Sequence, residues 1–209
     1  MSLFTPLASV FADLEKDLAA PGGPRISTMR NHSMCILQYP PEQEWELRQL
    51  LRGCASRMAA QGWQVHTLDL FELLLERLET HEPGFLEQLA QREARIAKKD
   101  RDRAMAWVGD KLARHLGDDG GIVVDILREM QARIPQDQRD HSVVFLGRLG
   151  ALYPYFRSSA LLRQLDQRTH GVPVVLLYPG EHRGGGLSFM GQFEPDRDYR
   201  PRIYSTRKA

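Results

Sequence analysis

The sequence predicts an α/β domain with three layers: a largely parallel central sheet with antiparallel edge strands, helices covering it, and a helical insertion. Two observations support the sheet: apolar runs of strand length alternate with helical patterns in residues 35–68 and again in residues 143–177. A third supports the insertion, because residues 69–135 show only helical periodicity and are more numerous than a simple crossover needs.

The first 24 residues are predicted to form an amphipathic helix and a linker. Apolar side chains recur at helical spacing at Leu3, Leu7, Val10, Leu14 and Leu18. The segment PGGP at residues 21–24 ends the helix. Residues 25–209 then form a single α/β domain. The pattern is compatible with docking of this helix on its own domain or on a partner.

A strand, a helix and a second strand come next. The first strand is Cys35–Tyr39, followed by Pro40 and Pro41, and the second is Val65–Leu68. The helix between them ends at Gly62 and has one apolar face, formed by Leu47, Leu50, Leu51, Cys54 and Met58. Because this is a βαβ unit of ordinary length, the two strands are predicted to be parallel neighbours.

The insertion begins at a helix start signal. Asp69 is a candidate N-cap, and Glu72 follows it at the spacing of a capping box. Four successive apolar stripes then predict four helices before Pro135. They are represented by Leu74 with Leu78, Phe85 with Leu89, Val108 with Leu112, and Ile126 with Met130.

The last third returns to strands. Strand three is Val143–Leu146 and strand four is Val172–Leu177, with a helix between them that Ser158 or Ser159 caps. The continuous apolar character of strand four predicts a central position, covered on both faces. Strands five and six, in residues 187–193 and 198–204, follow through short turns and are predicted to be antiparallel edge strands.

Composition and charge narrow the function classes. The chain has 209 residues and a formal net charge of +1, without the basic excess of a dedicated nucleic-acid or membrane binder. It has no signal peptide pattern and no apolar run of the about 20 residues that span a bilayer. Cys35 and Cys54 are predicted to be buried free thiols, which fits a reducing, cytoplasmic location.

The ends of the predicted strands lack the motifs of nucleotide-dependent enzymes. Open α/β sheets bind ligands at the carboxyl ends of their strands. The segment Gln38–Trp45 after strand one has neither a P-loop nor a glycine fingerprint. Strand three is followed by Gly147 and Arg148 instead of an acid for Mg²⁺. The seven histidines also lack metal-ligand spacing. The sequence therefore predicts no catalytic residue, no metal site and no cofactor.

Aromatic and arginine side chains near two strand ends are candidate partner-binding residues. Tyr153 and Tyr155 follow strand three beside Arg148, and such side chains anchor protein interfaces. The alternative is that this aromatic loop folds over the sheet edge as core, an interpretation favoured for Phe156. If both tyrosines are exposed, replacing them with alanine should leave the melting temperature nearly unchanged.

The segment after strand four is the second part of this candidate surface. It consists of Tyr178, Pro179, Gly180 and Glu181. A proline–glycine pair at this place predicts a turn.

Two other functions remain open. Residues 92–103 are the densest basic run, and interleaved acids favour a solvated helix face, with phosphate contact as the alternative. The nucleic-acid candidates are Lys98, Lys99, Arg101 and Arg103. A metal-dependent nuclease or nucleotide hydrolase would require Asp69, Glu181 and Asp125 to converge around a metal.

Several segments together resemble a known family. They are VVFLGRLGALYPYFRSSALL from Val143, VPVVLLYPGE from Val172, L-x-F-M-G from Leu187, and YR at residues 199–200. In this order and spacing they are similar to BrxB, the small protein of bacteriophage exclusion (BREX) systems. The glycine-rich stretch at residues 184–186 and the proline after Arg200 depart from the pattern.

The resemblance implies a role in antiphage defence. BREX systems also contain a large ATPase, an adenine methyltransferase and a PglZ-type protein of the alkaline-phosphatase superfamily. The implied role is a non-enzymatic assembly component, or adaptor, that binds the PglZ-type protein. The ATPase and the methyltransferase are further candidate partners. The resemblance brings no catalytic residues with it, so the adaptor ranks first, before a nucleic-acid module and an enzyme.

Overall fold

The computed structural model describes residues 5–27, 33–117, 120–183, 186–190 and 201–206, with the side chains of all of these except 181–187. The helices are α1 (Leu7–Leu18), α2 (Glu44–Ala60), α3 (Leu70–His81), α4 (Phe85–Ala97), α5 (Arg101–Leu116), α6 (Ile122–Arg133) and α7 (Ser158–Leu165). The strands are β1 (Met34–Tyr39), β2 (Gln64–Asp69), β3 (Ser142–Gly147), β4 (Val174–Arg183), β5 (Gly186–Phe189) and β6 (Arg202–Ser205).

The strands form one sheet in the order β2-β3-β4-β1-β6, with β5 paired to β4 outside this path. All neighbours along the path are parallel, and β5 is antiparallel to β4. The predicted α/β class is confirmed. The central position predicted for the fourth strand is also confirmed, since β4 lies in the middle of the order.

Two predicted strand relations are wrong. β1 and β2 are parallel but not neighbours, because β3 and β4 lie between them. The reason is burial: every residue of β1 is buried, as a central strand requires, whereas β2 is largely exposed or half-buried and lies at an edge. β6 is parallel instead of antiparallel. The chain reverses direction at β5 and again before β6, which then pairs with β1.

Helices cover both faces of the sheet. On one face, α1 and α2 pack against Cys35, Leu37, Val175 and other side chains that point to that side. On the other face, the insertion helices and α7 pack against Ile36, Val144, Leu176 and their neighbours. Successive residues of β1 and β4 thus alternate between two cores, the pattern of a three-layer domain.

The N-terminal helix docks on its own domain. The carboxylate of Asp17 accepts a hydrogen bond from Tyr204 at 2.7 Å and forms an ion pair with Arg202 at 2.8 Å, which ties α1 to β6. Arg57 of α2 binds Glu15 through both its Nε and its Nη2 atoms. The apolar stripe of α1 is fully covered, so docking on a partner is not needed to bury it.

The insertion contains the four predicted helices and begins with the predicted cap. One carboxylate oxygen of Asp69 accepts hydrogen bonds from the backbone N–H groups of Phe71 at 2.8 Å and Glu72 at 3.1 Å. A buried ion pair between Arg77 and Asp125, at 2.6 Å, joins α3 to α6. Removing Asp125 would leave the buried Arg77 without its carboxylate, at about 3–5 kcal/mol of stability.

The start of α7 differs from the prediction. Arg157 occupies the cap position with extended backbone, and its side chain makes no capping hydrogen bond. Ser158 lies inside the first turn and is fully buried. The helix start is therefore set by the packing of Phe156 and Ser158 against the core, and not by a serine cap. None of the described helices is long and apolar enough to cross a membrane.

Candidate functional site

The carboxyl ends of β1, β2 and β3 meet beside the middle of β4 around one cleft. Its walls include Tyr39 at the end of β1, Asp69 at the end of β2, Arg148 just after β3 and Leu177 in β4. The cleft has a volume of about 270 Å³ and adjoins a shallower depression of about 380 Å³. We call the two together the carboxyl-end cleft. It lies where open α/β sheets place their binding sites.

Arg148 is the most constrained side chain of the cleft. Its backbone is in the left-handed region at a φ of 55°, which is uncommon for a residue with a side chain. Its guanidinium lies 4.7 Å from the centre of the Phe71 ring and 3.6 Å from a carboxylate oxygen of Asp69. Asp69 therefore caps α3 with one oxygen and orients Arg148 with the other. About half of the Arg148 side chain stays exposed to solvent.

The opposite wall carries a second carboxylate–arginine pair. Glu44, the first residue of α2, binds Arg48 one turn later at 2.9 Å and accepts a hydrogen bond from the Tyr39 hydroxyl. Burial, helped by this hydrogen bond, raises the pKa of Tyr39 well above its usual range. Each wall carries one carboxylate and one guanidinium, so the cleft is polar but has no excess of positive charge to attract an anion.

Two large apolar side chains are exposed at this end of the sheet. Trp45 is 73% exposed, and Met190, which lines the cleft, is 44% exposed. Trp45 lies between Glu44 and Arg48 in the first turn of α2, on the same helix surface as Arg48. Sequence analysis did not single out Trp45. The signal was available, because Trp45 lies off the apolar stripe of its helix.

The predicted aromatic loop packs largely against other parts of the fold. The Tyr153 ring stacks on Phe189 of β5, with centroids 3.8 Å apart and planes 5° apart. Tyr155 is half-buried against α5, where a side chain in place of Gly109 would lie 3.2 Å from its ring. Phe156 is buried, as the core interpretation predicts. The loop thus links the β4–β5 hairpin to the helical insertion.

The segment after the predicted fourth strand is not a turn, because β4 continues through it to Arg183. Tyr178 is fully buried and contacts Phe189 edge-on, so its side chain is not available to a partner. Gly180 is required by close packing: a Cβ there would lie 2.3 Å from the carbonyl oxygen of Ser188. Pro179 lines the cleft, and the side chain of Glu181 lies outside the described residues.

The four basic candidates of the insertion are all exposed. Lys98 and Lys99 follow α4, while Arg101 and Arg103 begin α5, so all four lie at the tip of a helical hairpin. Asp100 in the middle caps α5 by accepting a hydrogen bond from the backbone N–H of Arg103 at 2.9 Å.

Two of the three acids of the enzyme hypothesis, Asp69 and Asp125, are engaged in other contacts, and the side chain of Glu181 lies outside the described residues. Asp69 binds backbone and Arg148, and Asp125 is buried between Arg77 and Arg128. Within the described part of the chain, no group of three histidine, cysteine or acidic side chains is arranged to hold a metal ion. Both cysteines are free and buried, and burial raises the thiol pKa of each, for Cys54 to about 12.

A family model and a curated relative that match the chain have the same description. The family model described as BREX protein BrxB matches residues 66–203, which run from β2 into β6. A curated protein of Bacillus cereus (strain H3081.97), described as BREX protein BrxB, is 28% identical over 166 residues, covering 79% of each chain. No solved structure matches the chain.

Proposed function

Because the chain belongs to the BrxB family and is therefore a component of a BREX system, we propose that it acts there as a non-enzymatic adaptor. Its first partner is the PglZ-type protein of the same system, and the system's ATPase is the second candidate. The buried free thiols fit assembly in the reducing environment of the cytoplasm.

The observation that carries this proposal is the exposure of Trp45. An indole that is 73% exposed leaves a large apolar area in water. Tryptophan and arginine are the residues most enriched at the energetic centres of protein interfaces, and methionine is enriched there as well. Met190, Arg48 and Arg148 line the carboxyl-end cleft. Trp45 is next to them, because it follows the cleft residue Glu44 in the first turn of α2. We call these four the adaptor surface.

The charge arrangement supports a protein partner over a small anionic substrate. Each arginine of the adaptor surface already has a carboxylate, Arg48 with Glu44 and Arg148 with Asp69. A phosphate would have to compete with both carboxylates. A protein side chain can instead share the exposed face of each guanidinium while the apolar groups are covered, as in the mixed core and rim of an interface.

Co-expression tests the proposal. A tagged copy is produced with the PglZ-type protein and the ATPase of the same locus, and complexes are measured by size-exclusion chromatography with light scattering. The expected result is a stoichiometric complex with the PglZ-type protein. Elution of this chain alone with every partner would overturn the adaptor role.

A matched pair of variants locates the surface. Trp45→Ala with Arg148→Ala removes two members of the adaptor surface. Met105→Ala with Arg163→Ala removes the same residue types, an exposed large apolar side chain and an exposed arginine, from other helices. Only the first variant should lose the complex. Equal retention by both would place the interface elsewhere on the molecule.

A further inference from the structure

The tip of the α4–α5 hairpin concentrates basic side chains without carboxylate partners. The basic tip consists of Arg92, Arg95, Lys98, Lys99, Arg101 and Arg103. All six are exposed, and none forms an ion pair with a described carboxylate. Eight arginines in the rest of the described chain do have such a partner.

Residues 92–103 contain three acids against the six cations of the basic tip. Asp100 caps α5 through the backbone N–H of Arg103. Glu93 lies close enough to Tyr155 to raise the pKa of its hydroxyl, second to the effect of burial. Asp102 is the third acid between residues 92 and 103. The basic tip therefore has a local positive excess in a chain whose net formal charge is only +1.

Helix electrostatics make part of this arrangement unfavourable for the isolated fold. Arg101 and Arg103 lie in the first turn of α5, where the helix dipole and the free N–H groups repel cations. Lys98 and Lys99 follow the end of α4, where cations are favourable. The charges of Arg101 and Arg103, placed against the helix dipole, do not stabilise α5, and an external anion would offset their repulsion.

The surroundings indicate what kind of anion fits. Residues 92–103 contain no aromatic side chain, and their larger apolar residue, Ile96, is half-buried. A protein interface would need an apolar anchor among the cations, whereas the exposed Met105 lies beyond them in α5. A membrane surface would need an apolar face to insert. Contact with nucleic-acid phosphates needs only closely spaced cations.

We propose that the basic tip binds the phosphate backbone of duplex DNA without reading its sequence. This function is separate from the adaptor surface, which lies at the carboxyl end of the sheet. It would let the chain hold its BREX partners while the helical hairpin rests on the duplex.

Fluorescence anisotropy with a labelled 30-base-pair duplex tests the proposal on the full chain. Four phosphate contacts predict a slope of about −3.6 for the logarithm of the binding constant against the logarithm of the salt concentration. Replacing Lys98, Lys99, Arg101 and Arg103 with serine should weaken binding at low salt at least about 10-fold. Asp100 is kept so that the cap of α5 remains.

The control variant removes the same charge from other places. Lys16, Arg52, Arg163 and Arg168 are exposed cations outside the hairpin, and their replacement with serine gives the same net charge. The control should bind within about threefold of the unmodified chain, and both variants should melt at similar temperatures.

Three results would overturn the proposal. They are an equal loss in both variants, binding by the unmodified chain that does not depend on salt, and competition by polyglutamate that equals competition by DNA at the same charge concentration. Complex formation with the PglZ-type protein is measured on the same variants, so that a failure of DNA binding is distinguished from a failure of the adaptor role.

Discussion

Two groups of aromatic side chains near the carboxyl end of the sheet have opposite environments. Tyr153 and Tyr155 are covered by β5 and α5, and the loop that carries them joins two parts of the fold. Trp45 is at the start of α2 and is mostly in water. From the sequence, the first group was a candidate for partner binding, with core packing as the alternative, and Trp45 was not among the candidates.

The difference shows that local composition does not determine exposure. The loop has tyrosines, proline and flanking arginines, as interfaces do, but residues distant in sequence pack on it: Phe189 on Tyr153 and Gly109 on Tyr155. Trp45 is in the first turn of α2, and its side chain lies outside the apolar face of that helix. Helix geometry was therefore a better guide to exposure than residue type.

Loss of the two loop tyrosines should have a large effect on stability. Replacing Tyr153 and Tyr155 together with alanine should lower the free energy of unfolding by about 3–4 kcal/mol, since two packed rings are lost. This reverses the near-constant melting temperature expected for exposed tyrosines. Urea unfolding measures it, and a change below about 0.5 kcal/mol would show that the rings are not part of the core.

Loss of Trp45 should instead affect partner binding. Trp45→Ala should weaken binding of the PglZ-type protein at least about 10-fold, as loss of an interface anchor does. Its free energy of unfolding should stay within about 0.5 kcal/mol, because the side chain is exposed. Titration calorimetry and urea unfolding give the two numbers. A destabilised variant with normal affinity would exchange the roles of the two groups.

The stability of the fold should depend on pH through the buried His115 of α5. Burial, with Arg114, Arg77 and His81 nearby, lowers the pKa of His115, although Glu82 opposes the shift. Its Nε2 atom accepts a hydrogen bond from Arg114 at 3.2 Å, which requires the neutral ring.

The sign of this effect follows from proton binding. Below about pH 6.5 the unfolded chain takes up a proton at His115 that the folded chain does not. The free energy of unfolding therefore decreases as the pH is lowered, until the lowered pKa of the folded state is reached. The loss is at most about 1.4 kcal/mol for each unit by which the pKa is lowered. Unfolding at pH 7.5 and 5.5 should show a smaller loss for His115→Gln than for the unmodified chain. Equal losses would contradict the assignment.

The smallest effect tests the contact between the aromatic loop and α5. Gly109→Ala should gain helix propensity, up to about 1 kcal/mol, but the new methyl group would lie 3.2 Å from the Tyr155 ring. The gain should be full in a Tyr155→Ala background and reduced or reversed otherwise. A double-mutant cycle measures this coupling, expected at about 0.5–1 kcal/mol. Additive changes would mean that the two residues do not constrain each other.

Much of the fold follows from the sequence, because helices and strands leave periodic patterns. The helices of the insertion, the cap at Asp69 and the central position of β4 were predicted correctly. Strand order was not, because pairing depends on contacts between distant segments. The apolar run of β1, broken by Gln38 alone, and the mixed pattern of β2 did carry the information: the first is typical of a central strand and the second of an edge strand.

The candidate site was predictable in part. Arg148 follows from its position after a strand, but its support by Phe71 and Asp69 requires the alignment of β2 beside β3. Tyr178 was chosen for its place near a strand end, and its burial depends on β5 folding back over it. Such contacts have no local signature in the sequence.

The position of β1 has a consequence for how the protein is made. β1 is synthesised before the other described strands, but its neighbours β4 and β6 come from the last third of the chain. At about 5–20 residues per second, the ribosome needs roughly 7–27 s to move from Tyr39 to Val174. During that interval β2, β3 and the insertion helices can associate, while β1 has no partner strand. β1 is therefore made early but pairs late, and the nascent chain must keep this apolar segment soluble until β4 and β6 have been synthesised.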